Sequence, residues 1–335
     1  MAHVALTGAH GFVGWHTRVA ALASGVDTTP VAVGAHFDAG AASEAISGSA
    51  RLLHIAGVNR ADDNEVREGN ELFARQIAAI VRSVEAAPSV VVFANSTQVG
   101  NGSVYGHAKA AAADILAAAA GEVGAEFIDL RFPNVFGEHG RPFYNSVVST
   151  FCHLLATGGL PTIDVDRELT LLHAQDAADL LLGTAADGAV ETRSTVTSLL
   201  ADLQEIAAQY AAGDIPDLSS PHRRNLFNTY RSFLFNDRPY ATSGRTGAAS
   251  PRPDGIYLHR RQAERVMAAA GSGTLHLQRP FTTETRDLAL VAADEGSIDI
   301  PTLWTSSVSG TDDFVATGTL FGFADNDGVA GSALG

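Results

Sequence analysis

Hydrophobic positions in roughly the first half of the chain form short, continuously apolar segments separated by longer amphipathic or alanine-rich ones. Continuous apolar character is typical of strands that are covered on both faces of a sheet. The segments of this kind are residues 3–8, 30–34, 51–57, 89–96, 126–132 and 169–174. Helical patterns occupy residues 61–86, 103–122 and 143–157 between them. This alternation predicts an α/β fold, a Rossmann-type doubly wound parallel sheet with helices on both faces.

The pattern changes in the rest of the chain. Residues 195–235 are mostly helical by pattern, and the glycine-, serine- and proline-rich residues 241–255 indicate a loop or linker. Farther on, apolar residues alternate with polar or small ones in short segments such as GTLHLQ (273–278), which is typical of antiparallel strands. We therefore predict a Rossmann domain with a helical part over residues 1–240 and a small β domain over residues 241–335.

Composition narrows the class of protein. The 335 residues are 46% hydrophobic and 18% charged, as expected of a globular protein. A formal net charge of −15 argues against nucleic-acid binding, which requires a basic surface. The single cysteine, Cys152, excludes an internal disulfide and a cysteine-built metal site. Without an apolar segment of membrane-spanning length or a signal-peptide pattern, we expect a cytoplasmic protein that does not enter membranes.

Three glycines follow the first predicted strand in the segment TGAHGFVG, at Gly8, Gly11 and Gly14. Glycines in a turn between a strand and a helix allow the backbone to approach a pyrophosphate, which then lies at the helix N-terminus. The sequence therefore predicts a dinucleotide site. The alternative is that these glycines only pack a tight turn.

The end of the second predicted strand bears on the choice of cofactor. An acidic residue there would bind the ribose hydroxyls of NAD, but the segment VGAHFDAG has neither an acid nor an arginine at the strand end. His36 is placed to approach a 2′-phosphate, which favours NADP and leaves NAD possible. The alternative is that His36 is a solvated loop residue.

Lys109 is the only lysine of the chain, since the other 21 of its 22 basic residues are arginines. Tyr105 precedes it by four residues, so on a helix the two side chains share a face. A tyrosine titrates near ~10 on its own, and a neighbouring ammonium favours the phenolate and so improves proton transfer near neutral pH. Ser96, at the end of the fourth strand in the order above, is placed to hold a substrate oxygen. The three residues predict proton transfer beside a nicotinamide.

Several motifs together resemble the extended short-chain dehydrogenase/reductases of the NAD-dependent epimerase/dehydratase family. They are TGAHGFVG, HIAG (54–57), ANSTQ (94–98), YGHAK (105–109) and RFPNVFG (131–137). The resemblance implies a catalytic triad of Ser96, Tyr105 and Lys109. It also implies cofactor contacts, made by Gly8, Gly11, Phe12, Gly14, His36, Ala56, Gly57, Tyr105 and Lys109.

The segments HIAGVNR, RPFYNSVVSTFCH and RELTLLHAQDAADLL resemble more closely the capsule-precursor reductases, which join a reductase domain to a C-terminal cupin. Those enzymes reduce a UDP-4-keto-6-deoxy-N-acetylhexosamine. By this resemblance Asn134, Asn145 and Arg167 are substrate-side candidates, each with a helix cap or a surface polar group as the alternative. A homodimer is likewise expected by resemblance alone.

The C-terminal segment resembles a cupin whose metal ligands are incomplete. Part of the first cupin motif is matched by Gly255, His259, Glu264 and Gly271. Tyr257 stands where a histidine is expected, and Ser306 stands in the place of the third histidine. Of the expected metal ligands only two remain, His259 and Glu264. Metal sites require three or four converging ligands. We therefore expect a partly degenerate domain without a metal and without the epimerase step credited to a cupin.

The residues leave several functions open. The first is reduction of a nucleotide-sugar 4-ketone, and the second is a nucleotide-sugar 4-epimerase that holds NAD tightly and uses the same triad. A 4,6-dehydratase fits less well, because such enzymes carry an acidic pair where this chain has Thr97 and Gln98. A non-catalytic NAD(P)-binding sensor or scaffold protein remains as an alternative of another class.

Overall fold

The computed structural model describes residues 3–185, 191–212, 214 and 216–237, together with the backbone of three short strands farther on. The chain divides into two compact units. The first unit runs to Pro133 and resumes from Ala174 to Val190, and the second contains the remainder. Each unit is described separately below.

A five-stranded parallel sheet forms the centre of the first unit. Its strands are β1 His3–Thr7, β2 Asp27–Val31, β3 Arg51–His54, β4 Val90–Ser96 and β5 Glu126–Phe132. Their order in the sheet is β2-β1-β3-β4-β5, and every neighbouring pair is parallel. The predicted doubly wound parallel sheet is confirmed.

Helices of the first unit flank this sheet, and those of the second unit belong to a core of their own. The helices of the described residues are α1 Phe12–Ala23, α2 Ala39–Ile46, α3 Asp63–Ser83, α4 Val104–Val123, α5 Val147–Thr157, α6 Ala174–Leu182, α7 Val196–Ala211 and α8 Pro221–Asp237. The apolar faces of α2, α3 and α4 share one core with the strands, in which Leu52, Ile77, Phe93 and Leu116 are at most 1% exposed. Helices α1 and α6 pack against each other outside that core.

The second unit has its own sheet and its own core. Its strands are β6 Asn134–Phe136, β7 Glu168–His173 and β8 Thr192–Thr195, in the order β6-β7-β8. The pair β6–β7 is parallel and the pair β7–β8 is antiparallel. Apolar residues of α5, α7 and α8 form the core with this sheet. The last apolar segment predicted as a strand, residues 169–174, is therefore a strand of this separate sheet and not of the five-stranded one.

Two elements differ from the sequence pattern for physical reasons. Strand β2 spans Asp27–Val31, whereas the apolar segment predicted as a strand is residues 30–34. Because β2 is an edge strand with only Val31 buried, its sequence DTTPV lacks the continuous apolar character of the inner strands. The alanine-rich helix α2 was not predicted, since its eight residues are fewer than the window over which a helical repeat is recognised.

Farther along the chain the described strands are β9 Thr274–Gln278, β10 Thr285–Ala289 and β11 Ser306–Ser307. They pair antiparallel in the order β11-β10-β9, which agrees with the predicted β structure. The cupin-motif positions from Gly255 to Gly271, including His259 and Glu264, lie outside the described residues. The degenerate cupin and its lack of a metal therefore stay predictions. No helix in the part of the chain that the structure describes has the length and apolarity that a membrane crossing requires.

Candidate functional site

The glycine turn after β1 is built so tightly that only glycine fits at two of its positions. Gly8 has φ +68°, and a Cβ there would lie 2.8 Å from the backbone nitrogen of Ala56. A Cβ on Gly14 would lie 2.0 Å from the carbonyl oxygen of Gly8, and the amide of Gly11 donates to that same carbonyl at 3.0 Å. The turn thus brings the start of α1 against the loop that follows β3.

The N-terminus of α1 fits an anionic group. Its N-cap residue, Gly11, supplies no side-chain acceptor, and the first turn contains no acidic residue. No side chain therefore neutralises the positive end of the helix dipole here. The backbone N–H groups at this end, including that of Phe12, can donate to a phosphate. This is the feature expected of the pyrophosphate part of a dinucleotide site.

Thr7, at the end of β1, fixes the loop after β3 through its side chain. Its Oγ1 accepts from the amides of Ile55 at 3.0 Å and Ala56 at 3.1 Å, and it lies 3.0 Å from Nδ1 of His54. A hydroxyl has one proton and two lone pairs, so its proton is directed to Nδ1 and His54 is the neutral Nε2–H tautomer. Burial, and secondarily the charge of Lys109, lowers the pKa of His54 to about 3, which agrees with a neutral ring.

Asn70, buried on α3, holds the next part of the same loop. Its Nδ2 donates to the carbonyl of Val58 at 2.7 Å, and its Oδ1 accepts from the amide of Val58 at 3.3 Å. A Cβ on Gly57 would lie 2.9 Å from that Oδ1. Thr7 and Asn70 together therefore fix the conformation of Ala56 and Gly57, the residues expected to contact a cofactor.

The turn after β2 contains His36 in a short 3-10 helix, Gly34–His36. His36 is exposed. The nearest carboxylate in the sequence, Asp38, caps α2 by accepting from the amide of Ala41 at 2.8 Å. The strand end thus has no carboxylate of its own, as the sequence indicated.

Helix α4 places the tyrosine and the lysine one turn apart. Ser103 caps the helix by accepting from the amide of Gly106 at 3.0 Å. A Cβ on Gly106 would lie 2.3 Å from the carbonyl oxygen of Gln98, so the first turn packs directly on the loop that follows β4. The predicted helical spacing of Tyr105 and Lys109 is confirmed.

The ammonium of Lys109 lies at the carboxyl end of β4 and is 3% exposed. Its Nζ donates to the carbonyl of Ala94 at 2.7 Å and lies 3.9 Å from the centroid of the Phe93 ring. A Cβ on Gly57 would be 3.9 Å from the same nitrogen. Burial lowers the pKa of Lys109 to about 7, and the carboxylate of Asp129 opposes this shift. The lysine therefore lies beside the loop that contains Gly57, and it loses its proton at a lower pH than a solvated lysine does.

Ser96 ends β4, as predicted, and is half-buried. Its Oγ accepts from the amide of Gln98 at 3.2 Å, so this bond leaves the hydroxyl proton for a substrate oxygen. The preceding residue, Asn95, donates from Nδ2 to Asp129 at 2.6 Å. Arg131 pairs with the other oxygen of that carboxylate at 3.0 Å.

The substrate-side candidates all belong to the second unit. Nδ2 of Asn134 donates to the carbonyl of Thr170 at 3.1 Å, so this side chain joins β6 to β7. Asn145 and Arg167 are exposed in the segments that precede α5 and β7. Asn134 is exposed as well, and the substrate-side roles of all three residues stay predictions.

Sequence reasoning missed the supporting residues Thr7, His54, Asn70 and Asp129. Thr7 and His54 fall inside the motifs TGAHGFVG and HIAG, which provided a signal for them. Asn70 and Asp129 had no such signal, because an isolated amide in a helix or an acid in a strand indicates no chemistry by itself.

Part of the chain is similar to a known family and to a curated relative. Residues 81–192 match the NAD dependent epimerase/dehydratase family. A curated relative from Pseudomonas aeruginosa, named UDP-2-acetamido-2,6-beta-L-arabino-hexul-4-ose reductase, is 30% identical over 247 residues, which cover 70% of this chain. The matched region spans 65% of the length of that relative.

Solved structures share the fold. The capsular polysaccharide assembling protein CapF from Staphylococcus aureus superposes with a TM-score of 0.58 at 24% identity, over 69% of this chain and 65% of its own. UDP-glucose 4-epimerase from Thermotoga maritima gives a TM-score of 0.57 at 16% identity, over 69% and 98% of the two chains. WbmF from Bordetella bronchiseptica, solved with NAD+, gives 0.56 at 17% identity, over 69% and 92%.

Proposed function

We propose that this chain is a member of the NAD dependent epimerase/dehydratase family and an NADP-dependent reductase of a UDP-4-keto-6-deoxy-N-acetylhexosamine. The observation that carries the proposal is the position of the Lys109 ammonium. It contacts the end of the strand that carries Ser96, one helical turn from Tyr105, and it lies beside Gly57 in the loop that packs on the glycine turn. These contacts support the proposal because they bring Lys109 next to both the strand of Ser96 and the proposed cofactor-side backbone.

The chain's own residues supply binding and proton transfer. Backbone amides at the start of α1, with Gly8, Gly11 and Gly14, would hold the diphosphate of the dinucleotide. When bound, the nicotinamide supplies hydride for the sugar C4. The Tyr105 hydroxyl donates its proton to the C4 oxygen as that oxygen becomes an alcohol, and Ser96 donates a hydrogen bond to the same oxygen.

Lys109 supports this proton transfer. An ammonium near the Tyr105 oxygen favours the phenolate that is left after the proton has gone. Burial lowers the pKa of Lys109 to about 7, so near neutral pH both its charged and its neutral form would be populated, and the charged form is the one that would favour the phenolate. The relative from Pseudomonas aeruginosa, a nucleotide-sugar reductase by name, supports a nucleotide-sugar substrate here, and Asn134, Asn145 and Arg167 are its proposed ligands.

The test is NADPH oxidation at 340 nm with a panel of 4-keto UDP- and dTDP-sugars. We expect turnover with a UDP-4-keto-6-deoxy-N-acetylhexosamine and a loss of at least ~100-fold in Tyr105→Phe, because general acid catalysis contributes about that much or more. Cofactor affinity in this variant should be retained. Lack of acceleration by every 4-keto sugar, or equal rates in the two proteins, would refute the proposal.

A nucleotide-sugar 4-epimerase is the alternative that uses the same side chains. It differs in retaining its nicotinamide between turnovers. Absorbance of the purified protein therefore distinguishes the two: retained NAD supports the epimerase, and an empty site that exchanges NADPH supports the reductase. A protein that binds dinucleotide but turns over no sugar would instead be a sensor or scaffold.

A further inference from the structure

The turn that follows β2 is held from outside by one side chain of α3. The amide of Gly34 donates to Oε1 of Gln76 at 2.7 Å. Nε2 of Gln76 donates in return to the carbonyl of Gly34 at 3.2 Å. A single carboxamide thus pairs with both backbone groups of one residue, 42 positions away in the sequence.

A second contact between this turn and α3 requires glycine at position 34. Gly34 has φ +73°, a conformation that costs side-chain-bearing residues ~1–2 kcal/mol. A Cβ at this position would also lie 2.7 Å from Cε1 of Phe73. Phe73 and Gln76 are three residues apart and so lie on one face of α3. This helix face therefore determines the backbone path that leads to His36.

The turn lies where a doubly wound sheet binds one end of its dinucleotide. In a doubly wound sheet the adenosine ribose of a dinucleotide lies at the carboxyl end of the second strand, where a carboxylate usually binds its hydroxyls. Here the residues directly after the strand include no carboxylate, and Asp38, the next one along the chain, caps α2 through its Oδ1. The backbone of the turn and His36 are therefore the groups that the turn itself offers to the ribose.

We propose that Gln76 is a positioning residue for the adenosine-ribose end of the cofactor, an inference that rests on the proposed dinucleotide-dependent function. Its carboxamide fixes the peptide groups of Gly34, and this determines where the following residues through His36 present their backbone and imidazole. Gln76 does not touch the reacting atoms, so it affects the adenosine half of the ligand and not the nicotinamide half.

The test separates the two halves of the ligand. Adenosine 2′,5′-bisphosphate represents the adenosine end and nicotinamide mononucleotide the other end, and the binding of each is measured by calorimetry. Without the two hydrogen bonds the turn should hold its binding conformation only part of the time; if that fraction is about one tenth, Gln76→Ala weakens the bisphosphate about tenfold, and it should leave nicotinamide mononucleotide within about twofold. Gln76→Met, which keeps the length of the side chain without its amide, should give the same result.

Arg75→Ala is the matched control, because Arg75 neighbours Gln76 on α3 but is exposed and pairs with Glu71. It should bind both fragments as the wild type does. If the wild-type protein binds neither NADPH nor NADH, the proposed function itself fails. If the wild type binds dinucleotide but the Gln76 variants bind the bisphosphate normally, or lose both fragments equally, the positioning role of Gln76 is refuted.

Discussion

Replacing Lys109 by methionine should stabilise the protein at low and neutral pH while it abolishes catalysis. The ammonium is 3% exposed, and burial lowers its pKa from 10.5 to about 7. A difference of that size corresponds to a cost of about 5 kcal/mol for the charged form. Methionine removes the charge but also the hydrogen bond to the Ala94 carbonyl, a loss of ~1.5–3 kcal/mol. We therefore expect a net gain of about 2–3 kcal/mol at pH 6.

The sign of the pH dependence follows from the direction of the shift. Between about pH 7 and 10.5 the unfolded chain holds a proton on Lys109 that the folded chain has lost. The free energy of unfolding of the wild type therefore rises with pH across this window, by at most ~1.4 kcal/mol per pH unit. Below pH 7 both states are protonated and the full cost of burial is present. The advantage of the methionine variant should thus be greatest at pH 6 and disappear towards pH 10.

The measurement is urea unfolding from pH 6 to 10, followed by tryptophan fluorescence, to which Trp15, 1% exposed in the first unit, and Trp304 both contribute. The difference between the two proteins cancels the titration of the groups that do not interact with Lys109. Lys109→Arg is the control: its guanidinium keeps its charge throughout, so this variant should lack the rise with pH and fall below the wild type at pH 9–10. A constant difference between the methionine variant and the wild type from pH 7 to 10 would refute the reasoning.

Three further predictions concern the groups that hold the site together. Gly14→Ala should cost more than about 2 kcal/mol and abolish NADPH binding in a fluorescence titration, because its Cβ would lie 2.0 Å from a carbonyl oxygen. Gly25→Ala is the control, because Gly25 has φ +66° but no atom within 4 Å of an added Cβ; it should cost only ~1 kcal/mol and leave NADPH binding intact. Equal losses of stability in the two variants would contradict the packing argument. Ser103→Ala removes the cap of α4 and should lower the free energy of unfolding by about 1 kcal/mol in urea titrations, and an unchanged value would be contrary to that role. Thr7→Val leaves the amides of Ile55 and Ala56 without their acceptor and should cost at least ~2 kcal/mol, whereas Thr7→Ser should stay within about 1; similar losses in both would show that the hydroxyl is not what matters.

The parts of the site that could be predicted are those in which spacing or position has a direct geometric meaning. Tyr105 and Lys109 are four residues apart, and a helix converts that separation into one shared face. Ser96 could be placed because an apolar strand has a definite end. The glycines of the first turn were informative since few other roles need three of them between a strand and a helix.

The supporting groups could not be predicted, because their roles depend on long-range contacts. Thr7 and His54 are 47 residues apart in the sequence, and their hydrogen bond exists only because β1 and β3 are neighbours in the sheet. Asn70 and Gln76 lie on α3 among many polar residues, and only packing distinguishes these two from the solvated ones. The assignment of β7 to a separate sheet is likewise a matter of pairing, which a single apolar segment does not reveal.

The presence of lysine at position 109, in a chain that otherwise uses arginine, has a physical reason in this structure. The side chain reaches a site lined by the Phe93 ring and the Ala94 carbonyl, where a cation is poorly solvated. An arginine there could not lose its proton, so it would bear the full cost of a buried charge at every pH. Lysine can discharge, and the same burial that costs stability brings its pKa to about 7, where a proton moves readily to or from a neighbouring phenol. The destabilisation and the proposed catalytic role are therefore two consequences of one buried ammonium.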